Sequence, residues 1–205
     1  MKEQTMHTIK LSLARILMAL SVITVFIALP AKAVLLSTDG TAAVQIYAQP
    51  NTNALSEALQ VLQTYLGQMT GAEFSCATTP YAGKGILLAV GAEAEALPPA
   101  TATALKTMGG EGYVVFADND KLILAGNSDR AVRHAAYALL GQHGCRWLVP
   151  SERWTIISQY ATCEVSALQI ATESDIANRS IWYAYGMGID DSRHVLKRDY
   201  DRWLE

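Results

Sequence analysis

Cysteine, basic charge and long apolar runs are all scarce in this 205-residue chain, and each scarcity excludes a class of protein. Cys76, Cys145 and Cys163 are the only cysteines, with no CxxC pair and no Cys/His spacing suited to zinc. Neither a metal-ligated nor a disulfide-built scaffold is expected. Sixteen Lys and Arg stand against nineteen Asp and Glu, a net charge of −3. Nucleic-acid binding needs a basic footprint, and this balance argues against it. The longest uncharged apolar stretch, Ile16 to Ala31, holds 16 residues, fewer than the about 20 of a membrane-spanning helix. No low-complexity tract or internal repeat interrupts the rest.

What the N-terminus does contain is an export signal. Lys2, Lys10 and Arg15 form a basic start, Ile16 to Leu29 an apolar run, and Ala31-Lys32-Ala33 an A-x-A cleavage site before Val34. Residues 1–33 are therefore expected to be removed on export to the periplasm or the exterior, leaving no membrane attachment. Those residues carry four basic groups and only Glu3, so the remaining 172 have a net charge of −6. That length suits one domain and is too short for a complete (β/α)₈ barrel of about 250 residues. In an oxidising compartment three thiols cannot all pair within one chain. Buried, small, apolar cysteines are the expectation, with one disulfide as the alternative.

Along the mature chain, Thr41 to Ala48 reads as a strand ending at Pro50. From Asn53 to Met69, Leu55, Leu59, Leu62, Leu66 and Met69 recur at helical spacing, with Asn53 as N-cap and Gly71 as stop. Ile86 to Val90, set between glycines, fits a buried central strand. Ala94 to Met108 reads as a loop leading into a short helix. Gly112 to Ala117 and Lys121 to Ala125 flank Asp118-Asn119-Asp120 and predict a β-hairpin. A second main helix runs from a Ser128 cap to His143, burying Val132, Ala135, Ala136, Leu139 and Leu140, and Gly144 ends it. Trp154 to Ile157 is a short β-prone piece. The fold class is α+β: a mixed sheet of four or five strands with two main helices packed on one face.

The tail differs. Ile176 to Tyr183 can form a strand, and Ser192 to Glu205 is a charge-rich amphipathic helix with Leu196, Tyr200 and Trp203 on one side. This strand-helix pair reads as the first unit of something longer.

Several segments stand in family order: Tyr65 to Phe74 (YLGQMTGAEF), Ile86 to Gly91 (ILLAVG), and Gly112 through Gly126, Arg130, Ala135 and Leu140 to Gly144-Cys145-Arg146-Trp147 and Pro150. Together they resemble the N-terminal α+β domain of α-glucuronidase-like and β-hexosaminidase-like glycoside hydrolases (the β-hexosaminidase domain 2-like fold). The likeness is strongest to large secreted bacterial proteins in which this domain precedes an uncharacterised barrel. Ala131 stands where the family usually has Gly, and His134 where Tyr is common. The resemblance implies an α+β domain over residues 34–158. It makes residues 159–205 a linker and the first strand and helix of a truncated barrel. Catalysis would belong to the barrel, on carboxyls of later strands. Arg179 then falls near where hexosaminidase-type enzymes place an arginine that holds sugar hydroxyls, with Trp182 beside it; a surface or interdomain arginine is the alternative.

Other candidates have ordinary structural roles to set against chemical ones. Glu57 lies in a first helical turn, Asp118 and Asp120 in a turn, and Asp129 at a helix start. Asp190-Asp191 with His194 could meet a ligand or cap a helix. Cys145 follows a helix C-terminus, where a thiolate is disfavoured. Arg146 is expected to cap helix carbonyls and Trp147 to close the hydrophobic layer, with sugar stacking as the alternative. Trp154, Trp182 and Tyr183 could line an interdomain groove. The expectation is an exported, non-catalytic accessory domain of a glycoside-hydrolase-like protein of carbohydrate (polysaccharide) metabolism, a fragment without its barrel. No catalytic residue, metal or cofactor is expected in it, and the chain alone should be inactive. Its partner would be the barrel, and possible carbohydrate. A freestanding carbohydrate- or protein-binding module is the alternative.

Overall fold

The computed structural model describes residues 33–49, 53–91, 96–148 and 154–175. Among the described residues, ten strands form three sheets and are joined by three helices. The main sheet has five strands: β3 (Ile46–Gln49), β4 (Gly85–Val90), β5 (Tyr113–Asp118), β6 (Lys121–Gly126) and β10 (Leu168–Thr172). Their order is β10-β5-β6-β4-β3. The pairs β3–β4 and β4–β6 are parallel, whereas β5 runs antiparallel to both β6 and β10. The sheet is mixed, as the sequence predicts.

Helices α1 (Ser56–Thr70) and α3 (Asp129–Gln142) lie against one another on one face of this sheet. Strand side chains alternate between faces. Ile86, Leu88, Leu122, Leu124, Val115 and Ala117 therefore enter the core with α1 and α3. Leu87, Ala89, Val114, Ile123 and Ala125 face the other way. That opposite side is not bare. The short helix α2 (Pro99–Thr107) contributes Leu105 there, joined by Leu97. The two main helices thus share a face as expected, and a third covers the reverse. Because β4 and β6 are buried on both sides, their runs are continuously apolar.

The helix boundaries follow local chemistry. The five apolar residues read from the α1 spacing are all buried. Its start differs: the helix begins at Ser56, and its N-cap Leu55 supplies no side-chain bond. Gly71 ends it at φ 71°, the left-handed conformation glycine adopts without a Cβ penalty. Ser128 caps α3 as predicted, its Oγ accepting from the Ala131 N–H at 3.2 Å. The same hydroxyl donates to Gly110 O at 2.7 Å, tying the loop before β5 to the helix start. Ser128→Ala is expected to lower unfolding free energy by about 1 kcal/mol, with Ser128→Thr losing less than half of that, by urea denaturation.

Two features depart from expectation. The stretch read as one strand, Thr41 to Ala48, is broken by a bend. Its first part forms β2 (Thr41–Ala42) in a small sheet β2-β1-β9, and only Ile46 onward joins the main sheet. That small sheet includes β1 (Val34–Thr38) and β9 (Thr162–Val165), which bury Val34, Leu36, Cys163 and Val165 against the helical layer. The α+β unit also runs on past Ser158, into residues read as linker. Strand β9 pairs with β1, and β10 hydrogen-bonds along β5 from Leu168↔Ala117 to Thr172↔Tyr113. The proposed barrel strand (176–183) and barrel helix (192–205) lie outside the described residues.

Candidate docking surface at the end of helix α3

The site begins where α3 stops. After Gln142 the chain turns through Gly144, at φ 88°, and the Cys145 N–H returns to Leu140 O at 3.1 Å. Arg146 then folds back over the helix end, its guanidinium donating to Gly141 O at 2.5 Å and to Cys145 O at 2.7 Å. This is the carbonyl-capping role expected of it, and a cation there also suits the helix dipole. Tyr160 Oη donates to His143 O at 2.9 Å, and His143 Nδ1 lies 3.0 Å from Leu139 O. The turn is pinned from both sides.

Trp147 is held between the two main helices. Its ring meets Tyr65 of α1 at 5.2 Å and 86°, and Tyr137 of α3 at 5.0 Å and 89°. Edge-to-face pairs of this kind contribute about 0.5–1.5 kcal/mol each beyond area burial. Trp147 closes the hydrophobic layer, as the sequence predicts. Across the same helix pair, buried Arg133 forms an ion pair with exposed Glu57.

Strand β7 (Arg146–Trp147) pairs antiparallel with β8 (Thr155–Ile156), placing Arg146 opposite Ile156 and Trp147 opposite Thr155. A further bond from Leu148 N–H to Trp154 O extends the ribbon. Alternation along it sorts the side chains. Trp147 and Thr155 are half-buried, while Arg146, Leu148, Trp154 and Ile156 turn outward. Leu148, Trp154 and Ile156 are 53%, 56% and 51% exposed. They make up three of the four exposed large hydrophobics among the described residues, the other being Leu35. Their grouping makes the outward face of the ribbon the candidate contact surface. Leu148 and Ile156 were not singled out from sequence, because their exposure follows from ribbon register.

Two of the three cysteines have the character expected of core residues, and Cys76 is only half-buried. None is bridged, and Cys145 and Cys163 are buried. Burial raises the Cys145 thiol pKa, with Arg146 pulling it back only in part, so no nucleophilic thiolate is supplied. Cys145 Sγ lies 3.5 Å from Met69 Sδ. Burial, with Glu164 adding to it, pushes Cys163 up to about 11. Between its ordinary value and about 11 the folded thiol keeps a proton that the unfolded one releases. The folded state then binds more protons, so stability falls as pH rises through that window, by at most about 1.4 kcal/mol per pH unit. Urea titrations from pH 8.5 to 10.5 should show this decline, and Cys163→Ala should make it shallower, Cys145 supplying the remainder. At pH 8 a thiol reagent should label half-buried Cys76 in the native protein and all three thiols only in denaturant.

The carboxylates singled out from sequence keep structural positions. Glu57 is in the first turn of α1, and Asp129 Oδ1 accepts from the Arg130 N–H at 2.8 Å. Asp118 accepts from the Asn119 amide in the hairpin turn. Arg179 and Trp182, together with Tyr183, Asp190, Asp191 and His194, lie outside the described residues. Among the described residues, no group of three His, Cys, Asp or Glu is placed to hold a metal, and no helix is long and apolar enough to cross a membrane.

No family model and no curated protein matches the chain. Among solved structures, it is similar to a family GH115 4-O-methyl-α-glucuronidase with specificity for decorated arabinogalactans. That match has a TM-score of 0.47 and 14% identity, over 67% of this chain and 18% of the other. A GH20 β-N-acetylhexosaminidase from Streptomyces coelicolor A3(2) aligns with a TM-score of 0.43 and 17% identity, over 72% of this chain and 25% of that one. Flavobacterium johnsoniae chitobiase aligns at 0.36 and 13%, over 72% and 20%. These neighbours are glycoside hydrolases, and the chain spans a quarter or less of the length of each.

Proposed function

We propose that the chain supplies an exported, non-catalytic N-terminal accessory domain to a glycoside-hydrolase-like protein, and that it docks on the catalytic barrel through the outward face of the β7–β8 ribbon. The observation that carries this reading is the set Leu148, Trp154 and Ile156, exposed together on a ribbon that Trp147 anchors to both main helices. Fully burying a large apolar side chain is worth about 1.5–3 kcal/mol, and each of these three, already about half covered, would gain roughly half of that on docking. The Gly144-Cys145-Arg146-Trp147 run, the most specific part of the family resemblance, is the turn that builds this ribbon.

The coding sequence beyond Glu205 tests the reading first. It is expected to continue in frame into a barrel, and a stop codon with no barrel downstream overturns the proposal. In the full protein, Trp154→Ser with Ile156→Ser should speed proteolysis between domain and barrel while leaving the domain folded. The chain alone should not hydrolyse aryl glycosides, and measurable turnover would count against a non-catalytic role. Trp154 also favours a second reading, a freestanding carbohydrate- or protein-binding module, because an exposed indole face suits a pyranose ring. Glycan-array binding that is lost in Trp154→Ser would select that alternative.

A further inference from the structure

An open cleft of about 610 Å³ lies beside the β1–β2 turn and the start of β4. Its size is within the about 300–1,000 Å³ usual for small-molecule sites. The 40–44 segment forms one wall, and Gln45, Tyr47, Glu73, Ser75 and Lys84 line the rest, around Gly85. Gly85 stands at φ +101°, where a side chain is strained. A Cβ there would come within 2.8 Å of Gln45 O and 3.2 Å of Tyr47 Cε2. Only glycine lets the Tyr47 ring approach the backbone this closely. Tyr81 fixes that ring from another side, at 5.3 Å and 73°.

We propose that this cleft is a saccharide subsite that takes a neutral pyranose. The lining counts against the simpler ions. A phosphate or sulfate attracted by Lys84 would face the Glu73 carboxylate, and a divalent cation attracted by Glu73 would face the Lys84 ammonium. With one charge of each sign, the cleft suits a ligand that both donates and accepts hydrogen bonds. Vicinal hydroxyls do both. Gln45 Nε2 donates to Ser75 Oγ at 3.2 Å, which leaves the amide oxygen and the Ser75 proton for a ligand. Tyr47, half-buried at the edge of the cleft, adds an aromatic contact for the C–H side of a sugar ring. None of these residues belongs to the β7–β8 ribbon, so the inference is independent of the docking proposal.

The test is a titration of the full chain, labelled with nitrogen-15, against methyl glucoside, methyl galactoside and methyl N-acetylglucosaminide, with inorganic phosphate as a control. At least one pyranoside should give saturable amide shifts at 40–45 and 84–85, in the millimolar range suited to an open cleft. Glu73→Ala, an exposed change, should weaken that binding about tenfold, as loss of one hydrogen bond to a charged group predicts. Tyr47→Ala should weaken it at least as much, and Gln45→Ala decides if that variant fails to fold. The proposal is overturned by the absence of saturable shifts with all three sugars, by shifts that Glu73→Ala leaves unchanged, or by phosphate binding in preference to sugar. Failure here would leave the ribbon untouched, and a ribbon that does not dock would leave this titration unaffected.

Discussion

Replacing Gly126 by alanine is expected to cost about 3 kcal/mol of folding free energy, the upper end of what overpacking a core usually produces. Gly126 is the last residue of β6 and is buried. A Cβ built on it would lie 2.6 Å from Ala131 Cβ, 2.7 Å from Val132 N and 2.8 Å from the Ala131 carbonyl carbon. Two of those three atoms are helix backbone, so no side-chain rotation can relieve the contact. The first turn of α3 would have to lift off the sheet, straining the Ser128 cap and loosening Ala131 and Val132, both fully buried. Urea denaturation followed by tryptophan fluorescence measures the loss. Adding Ala131→Gly should recover only part of it, because the backbone clashes remain and a helical glycine itself costs about 1 kcal/mol. Wild-type stability in Gly126→Ala would show that α3 does not rest on β6 this closely.

Elements with strong local chemistry were legible in the sequence. The hairpin β5–β6 follows from two apolar runs around Asp118-Asn119-Asp120, and Asn119 takes the φ of 52° that such a turn requires. Helix α3 is announced by its cap, its apolar spacing and its glycine stop. The strands missed were those whose identity depends on distant partners. Strand β10 turns only Leu168 and Ile170 toward the core and buries neither fully, so its apolar face is too short to read, and its place at the edge is set by β5. Strand β9 does alternate, but over only four residues. The face chosen by α2 was unreadable for a different reason. Strands β4 and β6 are apolar on both sides, so the sequence shows that a cover is needed without saying which helix supplies it.

The candidate site divides along the same line. Arg146 capping and Trp147 burial follow from their place after a helix end. The outward set of Leu148, Trp154 and Ile156 requires knowing that Arg146 pairs with Ile156, and residues 149–153 between the strands carry no signal of that register. The cleft at Gly85 was invisible for the same reason: Gln45, Glu73 and Lys84 are far apart in sequence, and only the β3–β4 pairing and the end of α1 bring them to one rim.

Leu88→Ala is expected to be the most damaging simple truncation, at about 4 kcal/mol, within the 2–5 kcal/mol range for buried leucines. Leu88 sits at the centre of β4, in register with Ala48 on one side and Leu124 on the other, and is fully buried. The neighbours on its face belong to the larger core, where α1 and α3 are braced against one another and cannot easily collapse into a cavity. Leu87, one residue earlier and equally inaccessible, points to the smaller cluster beneath α2. That helix has nine residues and buries only Thr101 and Leu105, so it can settle inward. Leu87→Ala should therefore cost about 2 kcal/mol, and Leu88→Met, which keeps the volume, less than about 1.5 kcal/mol. Denaturant titration of the three variants separates the contributions. Equal losses at 87 and 88 would mean that the two helical layers are equally rigid, and the sheet would then have to be regarded as evenly clamped rather than held mainly from the α1–α3 side.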